Sequence, residues 1–155
     1  MGDLKTEIRQ TKAFPSLHEE AFLNLERSTA LLLDAFEQML KPHGITGTQY
    51  NVLRILRGAS PGGLCRNEIR DRLVTRMPDV TRLLDRMEDS GLITRERSTE
   101  DRRQVRTQLT RQGRKLVDSL DAAVTAEHKA RLSHLTAGQH RSLIELLTLV
   151  RAGDL

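Results

Sequence analysis

The chain has 155 residues, a formal charge of +4, 30% charged residues, three Phe, one Tyr and no Trp. That length suits one domain, or two intimately joined pieces, with a core drawn from Leu, Ile, Val and Met, which favours helices. A single Cys excludes an internal disulfide framework and fits a reducing compartment. No apolar run is long enough for a signal peptide or a membrane span, so a cytoplasmic protein is expected.

Residues 1–15 are polar with scattered apolar positions, an arm or short helix ending at Pro15. Ser16 can cap the next helix, with Glu19 three residues on completing a capping box. Over residues 17–40 the pattern is helical. Ala21, Leu25, Ser28, Leu32, Ala35, Phe36 and Met39 share one stripe, while Leu23, Leu31 and Leu33 lie off it. A helix apolar around much of its girth is buried on several faces. Because so long a helix outruns a small core, its second face is expected to meet another subunit. Pro42 and Gly44 end it. Thr46 with Gln49 makes a second capping box, and Tyr50, Val52, Leu53, Ile55 and Leu56 form the apolar side of the helix that follows. Ser60-Pro61-Gly62-Gly63 is a break.

Residues 64–113 carry a short helix, a turn and a second helix, spanning about 67–90, then two alternating strands at 92–98 and 104–109. Leu64 is expected to bridge to the hairpin. Cys65 sits where a helix needs its N-cap, with Glu68 three residues later, and Ile69 and Leu73 face the core. Thr75 and Pro78 are expected to start the second helix. There Val80, Leu83, Leu84 and Met87 face inward. Asp79, Arg82, Asp85, Arg86 and Asp89 face outward, with Thr81 at the edge. Gly91 is a natural C′ residue. Thr94, Arg95, Glu96 and Arg97 form an exposed strand. Val105 and Leu109 turn one face of the second strand inward, and Asp101 can pair with Arg103 across the hairpin tip. Thr110 caps a helix over 111–131, with Leu116, Val117, Leu120, Ala123 and Val124 inward. Thr136 starts the last helix, where Leu143, Ile144, Leu146, Leu147, Leu149 and Val150 are too many for one side.

Between Arg66 and Arg114 there are thirteen Arg and no Lys against nine Asp or Glu, a surplus of four that equals the charge of the whole chain. Basic charge concentrated in one subregion is the footprint of a phosphate-binding surface. Solvated, ion-paired helix faces account for Asp71 or Glu88, but not for Arg102 and Arg103 crowded on a turn. Helix, turn, helix, then a basic hairpin is the layout of a winged helix-turn-helix, which sets its second helix in the major groove of DNA and its hairpin against the minor groove. Arg82, Asp79 and Thr81 carry the chemistries that recognise guanine, cytosine and thymine. Arg76 and Arg86, with Asp101, Arg102 and Arg103 at the tip, complete the expected DNA-binding residues.

The segment GLITRERSTEDRRQVRTQLTRQG resembles the wing of the MarR family of bacterial transcriptional regulators, with Asp101, Arg103, Leu109, Thr110 and Gly113 on the family's wing and post-wing positions. GITGTQYNVLRIL resembles the family's second helix and VTRLLDRMEDSGL its recognition helix, so the likeness runs from about residue 45 to residue 113. It implies a mostly α fold with a small β-hairpin wing. The winged helix-turn-helix would span 45–110, flanked by dimerisation helices in 1–44 and 111–155. It further implies a sequence-specific repressor that binds a near-palindromic stretch of double-stranded DNA as a homodimer. The family commonly takes small anionic or aromatic effectors in a crevice between the dimer helices and the DNA-binding lobe, where Arg54, Arg57 or Arg114 can meet an anion.

No catalytic constellation is present: no Gly-rich phosphate loop, no HExxH, no nucleophile elbow. The chain is therefore read as no enzyme, with no cofactor. His128, His134 and His140 are six apart, which sets no two on one helix face at ligand spacing, so surface histidines are favoured over a metal site. Cys65 is read as a small residue at a helix start; the alternative is a redox switch, its thiol activated by the helix terminus and Arg66. The peroxide-sensing members of the family carry their reactive Cys in the first helix, and this chain has none there. The other functional reading is a winged-helix protein–protein interaction module without specific DNA binding, whose surface would not need the Arg-rich tip.

Overall fold

The structure, a computed structural model, describes residues 3–97 and 104–153. Its elements run α1 (Leu4–Glu7), α2 (Leu17–Leu40), a 3-10 turn (Lys41–His43), α3 (Gly47–Gly58), α4 (Arg66–Arg72), α5 (Val80–Asp89), β1 (Ile93–Arg97), β2 (Val105–Leu109), α6 (Arg111–Leu132) and α7 (Ala137–Ala152). This is the expected mostly helical fold with a β-hairpin wing. Among the described residues no helix is long and apolar enough to cross a membrane.

Local chemistry sets the helix starts. Ser16 Oγ accepts the Glu19 N–H at 3.2 Å, one half of the expected box. Thr46 and Gln49 bond reciprocally at 3.2 and 2.9 Å, and Thr136 and Gln139 repeat the device at 3.3 and 2.8 Å. Each such cap contributes about 1 kcal/mol. Gly91 ends α5 with φ +71°. The N–H groups of Gly91 and Leu92 donate to the carbonyls of Glu88 and Met87, which satisfies the last turn and aims the chain into β1.

One apolar core joins α3, α4, α5, β1 and α6 to the C-terminal end of α2. Leu53, Ile69, Leu83, Met87, Val117 and Leu120 are fully buried within it. β1 and β2 pair antiparallel with Ile93 opposite Leu109 and Arg97 opposite Val105. Leu64 adds the expected bridge to Thr107, exchanging backbone bonds of 3.0 and 2.8 Å. The Asn51 side chain accepts the Val74 N–H at 3.0 Å, so α3 pins the turn between α4 and α5.

Four expectations need correction. α5 starts at Val80, not at Thr75 or Pro78: Asp79 is its N-cap, a better cap than the residues before it, and Pro78 disfavours a helical Met77. β1 begins one residue later than expected, because Leu92 belongs to the helix stop. Val105 is exposed while Thr107 is buried, since only the root of the wing meets the core. Ala123 is exposed, standing one position off the buried Val117–Leu120–Val124 stripe of α6.

α2 and α7 behave differently from the rest. Only Leu40 of α2 is buried, and no residue of α7 is. Phe22 is 66% exposed, Ile144 63%, Leu146 61% and Leu149 69%.

Candidate nucleic-acid interface

α5 has one wholly apolar face. Val80, Leu83, Leu84 and Met87 are each at most 4% exposed, and that burial fixes the direction of everything on the other side. Thr81, Arg82, Arg86 and Asp89 face solvent, and Asp85 is half-buried. Arg82 carries a side chain 84% exposed; its Nε lies 3.0 Å from Asp79 Oδ2. Asp79 Oδ1 accepts the Arg82 N–H at 3.0 Å. Arg86 donates its Nε–H to the Arg82 carbonyl at 3.3 Å. Arg76 is exposed on the turn that leads into the helix. The remaining expected contacts, Asp101, Arg102 and Arg103, lie outside the described residues, as does any pairing between Asp101 and Arg103.

Beside α5 runs a groove of about 730 Å³ between the start of α4, α5 and the wing, with Arg66, Glu68, Thr81, Arg95 and Arg106 on its walls. Its three basic residues, Arg66, Arg95 and Arg106, were not among the expected DNA-binding residues, and the structure divides them by partner. Arg66 donates to Thr81 Oγ1 at 3.3 Å, which ties α4 to the solvent-facing edge of α5. Arg95, expected to be exposed, has a side chain only 26% exposed, 2.7 Å from Asp85 and 2.6 Å from Glu88. The Glu88 carboxylate also accepts the Arg95 backbone N–H at 3.0 Å. These bonds raise the guanidinium above the usual arginine value, Glu88 first and Asp85 second. Arg106 reaches Glu68 at 3.2 Å. The Glu68 carboxyl is held below the usual carboxylate range chiefly by the Cys65 backbone N–H, which donates to it at 2.7 Å.

The wing root is thus clamped to α5 through Arg95 and to α4 through Arg106. Among the described residues, Arg66, Arg76, Arg86 and Arg97 pair with no carboxylate. A signal for the clamps exists in the sequence, as Glu88 and Arg95 flank the helix stop at Gly91, but their pairing depends on the reversal of the chain there.

The expected effector crevice also changes. Arg57 is bidentate to Asp121 at 2.9 Å and bonds Asp118 at 2.8 Å. Hydrogen bonds to Asp121 and then Asp118 push its guanidinium far up, and Asp121 is correspondingly lowered. Arg57 therefore locks α3 to α6 and is not open to an anion. Nearby, Phe36 of α2 meets Tyr50 of α3 edge-on at 5.7 Å and His128 of α6 at 5.6 Å.

Cys65 caps α4 and lies at intermediate exposure. Cys65→Ser is expected to keep DNA affinity within about twofold and to raise the thermal midpoint slightly, Ser being the better N-cap. Peroxide sensitivity of DNA binding present in the parent and absent from the Ser variant would reverse this structural assignment.

Comparison with known proteins agrees with this geometry. A model of the MarR family matches residues 43–104. A MarR transcription factor from Planctomyces limnophilus is 39% identical, with a TM-score of 0.67, over 88% of this chain and 99% of that one. The transcriptional repressor CouR, solved on a 23-mer DNA duplex, superposes with a TM-score of 0.73 at 25% identity, over 97% of this chain and 98% of that one. The HTH-type transcriptional regulator YkoM of Bacillus subtilis (strain 168) is 30% identical over 107 residues, 69% of this chain and 68% of the relative. With a winged helix-turn-helix built around α5 and relatives of this similarity, the chain belongs to the MarR family of transcriptional regulators.

Proposed function

We propose that the protein is a cytoplasmic repressor that binds a near-palindromic operator as a homodimer. Residues 45–110 are the DNA-binding unit, and 1–44 with 111–155 the dimerisation helices. The observation that carries this reading is the face of α5. Its buried side is uniformly apolar, while Arg76, Arg82 and Arg86 stand on or beside the solvent side with Thr81. Such a helix fits the major groove, and two of them in a dimer address half-sites about 34–36 Å apart. The unburied apolar residues of α2 and α7 support the dimer. The Phe36–Tyr50–His128 cluster, where α2, α3 and α6 meet, supports a small aromatic effector between the dimer helices and the DNA-binding unit.

The test compares base-reading and backbone-contacting arginines. A bidentate Arg–guanine contact is worth about 1–3 kcal/mol of discrimination, so Arg82→Ala is expected to weaken operator binding more than random-duplex binding. Arg103, at the wing tip by sequence, fits a narrow minor groove. Arg103→Ala is expected to weaken both duplexes more evenly and to lower the salt slope by about one unit. Affinities for operator and random duplex at several salt concentrations measure both. If Arg103→Ala leaves both affinities unchanged, the wing makes no DNA contact, and a protein-docking role gains.

A further inference from the structure

We propose that Asp79 is a specificity-positioning residue: it holds Arg82 by its Nε side, so that the terminal amino fork of Arg82 is presented to guanine. The proposal rests on α5 being the DNA-reading helix and adds what its lead arginine recognises. Both carboxylate oxygens of Asp79 face Arg82. Oδ1 accepts the Arg82 backbone N–H at 3.0 Å, and Oδ2 lies 3.0 Å from Arg82 Nε.

A guanidinium offers two donor pairs, one along the Nε side and one at its end. A carboxylate charge against the Nε side leaves the end pair, two parallel N–H groups that match the O6 and N7 acceptors of guanine. Arg82 is otherwise a long side chain, 84% exposed, whose rotamer freedom would have to be lost on binding. Asp79 removes part of that freedom beforehand. One turn on, Arg86 is held by a hydrogen bond, its Nε donating to the Arg82 carbonyl at 3.3 Å. Positions four apart rise by roughly 6 Å along a helix. Two end-on forks at that separation suit two G·C pairs about two base steps apart, at roughly 3.4 Å per step.

The experiment is a selection from a random duplex library with the full-length protein. Affinities are then measured for the selected operator and for its single-base substitutions. The parent, Asp79→Asn, Arg82→Ala and Arg82→Lys are compared. Asn caps a helix as well as Asp, so Asp79→Asn keeps the bond to the Arg82 N–H. Its amide cannot accept at both positions and carries no charge. The parent is expected to prefer guanine at one half-site position by roughly tenfold or more. Asp79→Asn is expected to reduce that preference severalfold with an unchanged thermal midpoint and no loss of random-duplex affinity. Arg82→Lys, which lacks the fork, is expected to lose the preference, and adding Asp79→Asn to it should change nothing further. If Arg82→Ala loses the preference and Asp79→Asn does not, Asp79 is only a helix cap and the proposal fails by itself. If neither Arg82 variant alters any base preference, Arg82 does not read bases and the proposal falls with that part of the DNA-binding reading. Should Asp79→Asn lower the thermal midpoint, the comparison on the Arg82→Lys background decides. An effect there of equal size marks a structural role and overturns the proposal; no effect upholds it.

Discussion

Gly113→Ala is expected to destabilise the fold by about 3 kcal/mol or more, beyond the usual range for a single added methyl group in a packed core. Gly113 lies buried in the first turn of α6. A Cβ built there would overlap the backbone carbonyl of Leu92. Neither side can withdraw cheaply. The Gly113 N–H donates to Thr110 Oγ1 at 2.9 Å, and that hydroxyl donates to the Gly91 carbonyl at 2.7 Å. Leu92 in turn is fixed by its N–H to the Met87 carbonyl at 2.9 Å and by a side chain 4% exposed in the core. Relief of the clash must therefore shift the end of α5, the root of the wing or the start of α6, all of which set the proposed DNA-binding face. Gly138→Ala serves as the control. Its Cβ would meet nothing closer than 3.9 Å, and Ala in a helix is favoured over Gly by roughly 0.5–1 kcal/mol. Denaturant unfolding of both variants measures the difference. A Gly113→Ala protein as stable as its parent would show that α6 and Leu92 do not approach as closely as the structure has them.

Much of this architecture was legible in the residues because its causes are local. Ser16, Thr46, Thr110 and Thr136 each cap the helix they precede, and α2 has the limits, Leu17 and Leu40, that its pattern suggested. The inward stripe of α5 was equally readable from spacing three and four apart. The start of α5 was not. Thr75, Pro78 and Asp79 all suit a helix N-terminus, and Asp79, whose carboxylate accepts the Arg82 N–H, is the one that caps α5. Ion pairing was less legible still. Arg57 and its partners Asp118 and Asp121 are 61 and 64 residues apart in the chain. Composition counts all three as charge, while the fold makes them a strut between α3 and α6. For the same reason the surplus of arginine overstates the free basic surface: Arg95 and Arg106 serve to fasten the wing.

These struts bear on regulation. The wing root follows α5 through Arg95, and α3 follows α6 through Arg57. In the proposed dimer, a displacement of α6 relative to the partner subunit would therefore reach α5 as a rigid movement. An effector of that dimer would act by favouring one spacing of the two α5 helices over another, with its effect limited to its difference in affinity for the two arrangements.

Dimerisation is where the largest functional effect is expected. Leu146→Asp should leave the subunit folded, yet convert a dimer to a monomer at micromolar concentration and weaken operator binding by about 10²–10⁴-fold. Leu146 is 61% exposed and α7 contributes nothing to the subunit core, so within one subunit the substitution costs little. In a dimer whose interface takes in Ile144, Leu146 and Leu149, it would bury an unpaired carboxylate, once from each subunit of a symmetric pair, at several kcal/mol for each. Apolar surface this extensive on α2 and α7 also marks an association surface, since monomers rarely leave such patches in water. Operator affinity falls because a monomer engages one half-site and forfeits the effective concentration supplied by the other. Random-duplex binding per subunit, which depends on phosphate contacts, should change far less. Light scattering and titration of operator, half-site and random duplexes measure all three quantities. A Leu146→Asp protein that stays dimeric and binds operator within threefold of its parent would put the interface elsewhere, and the apolar face of α7 would need another partner.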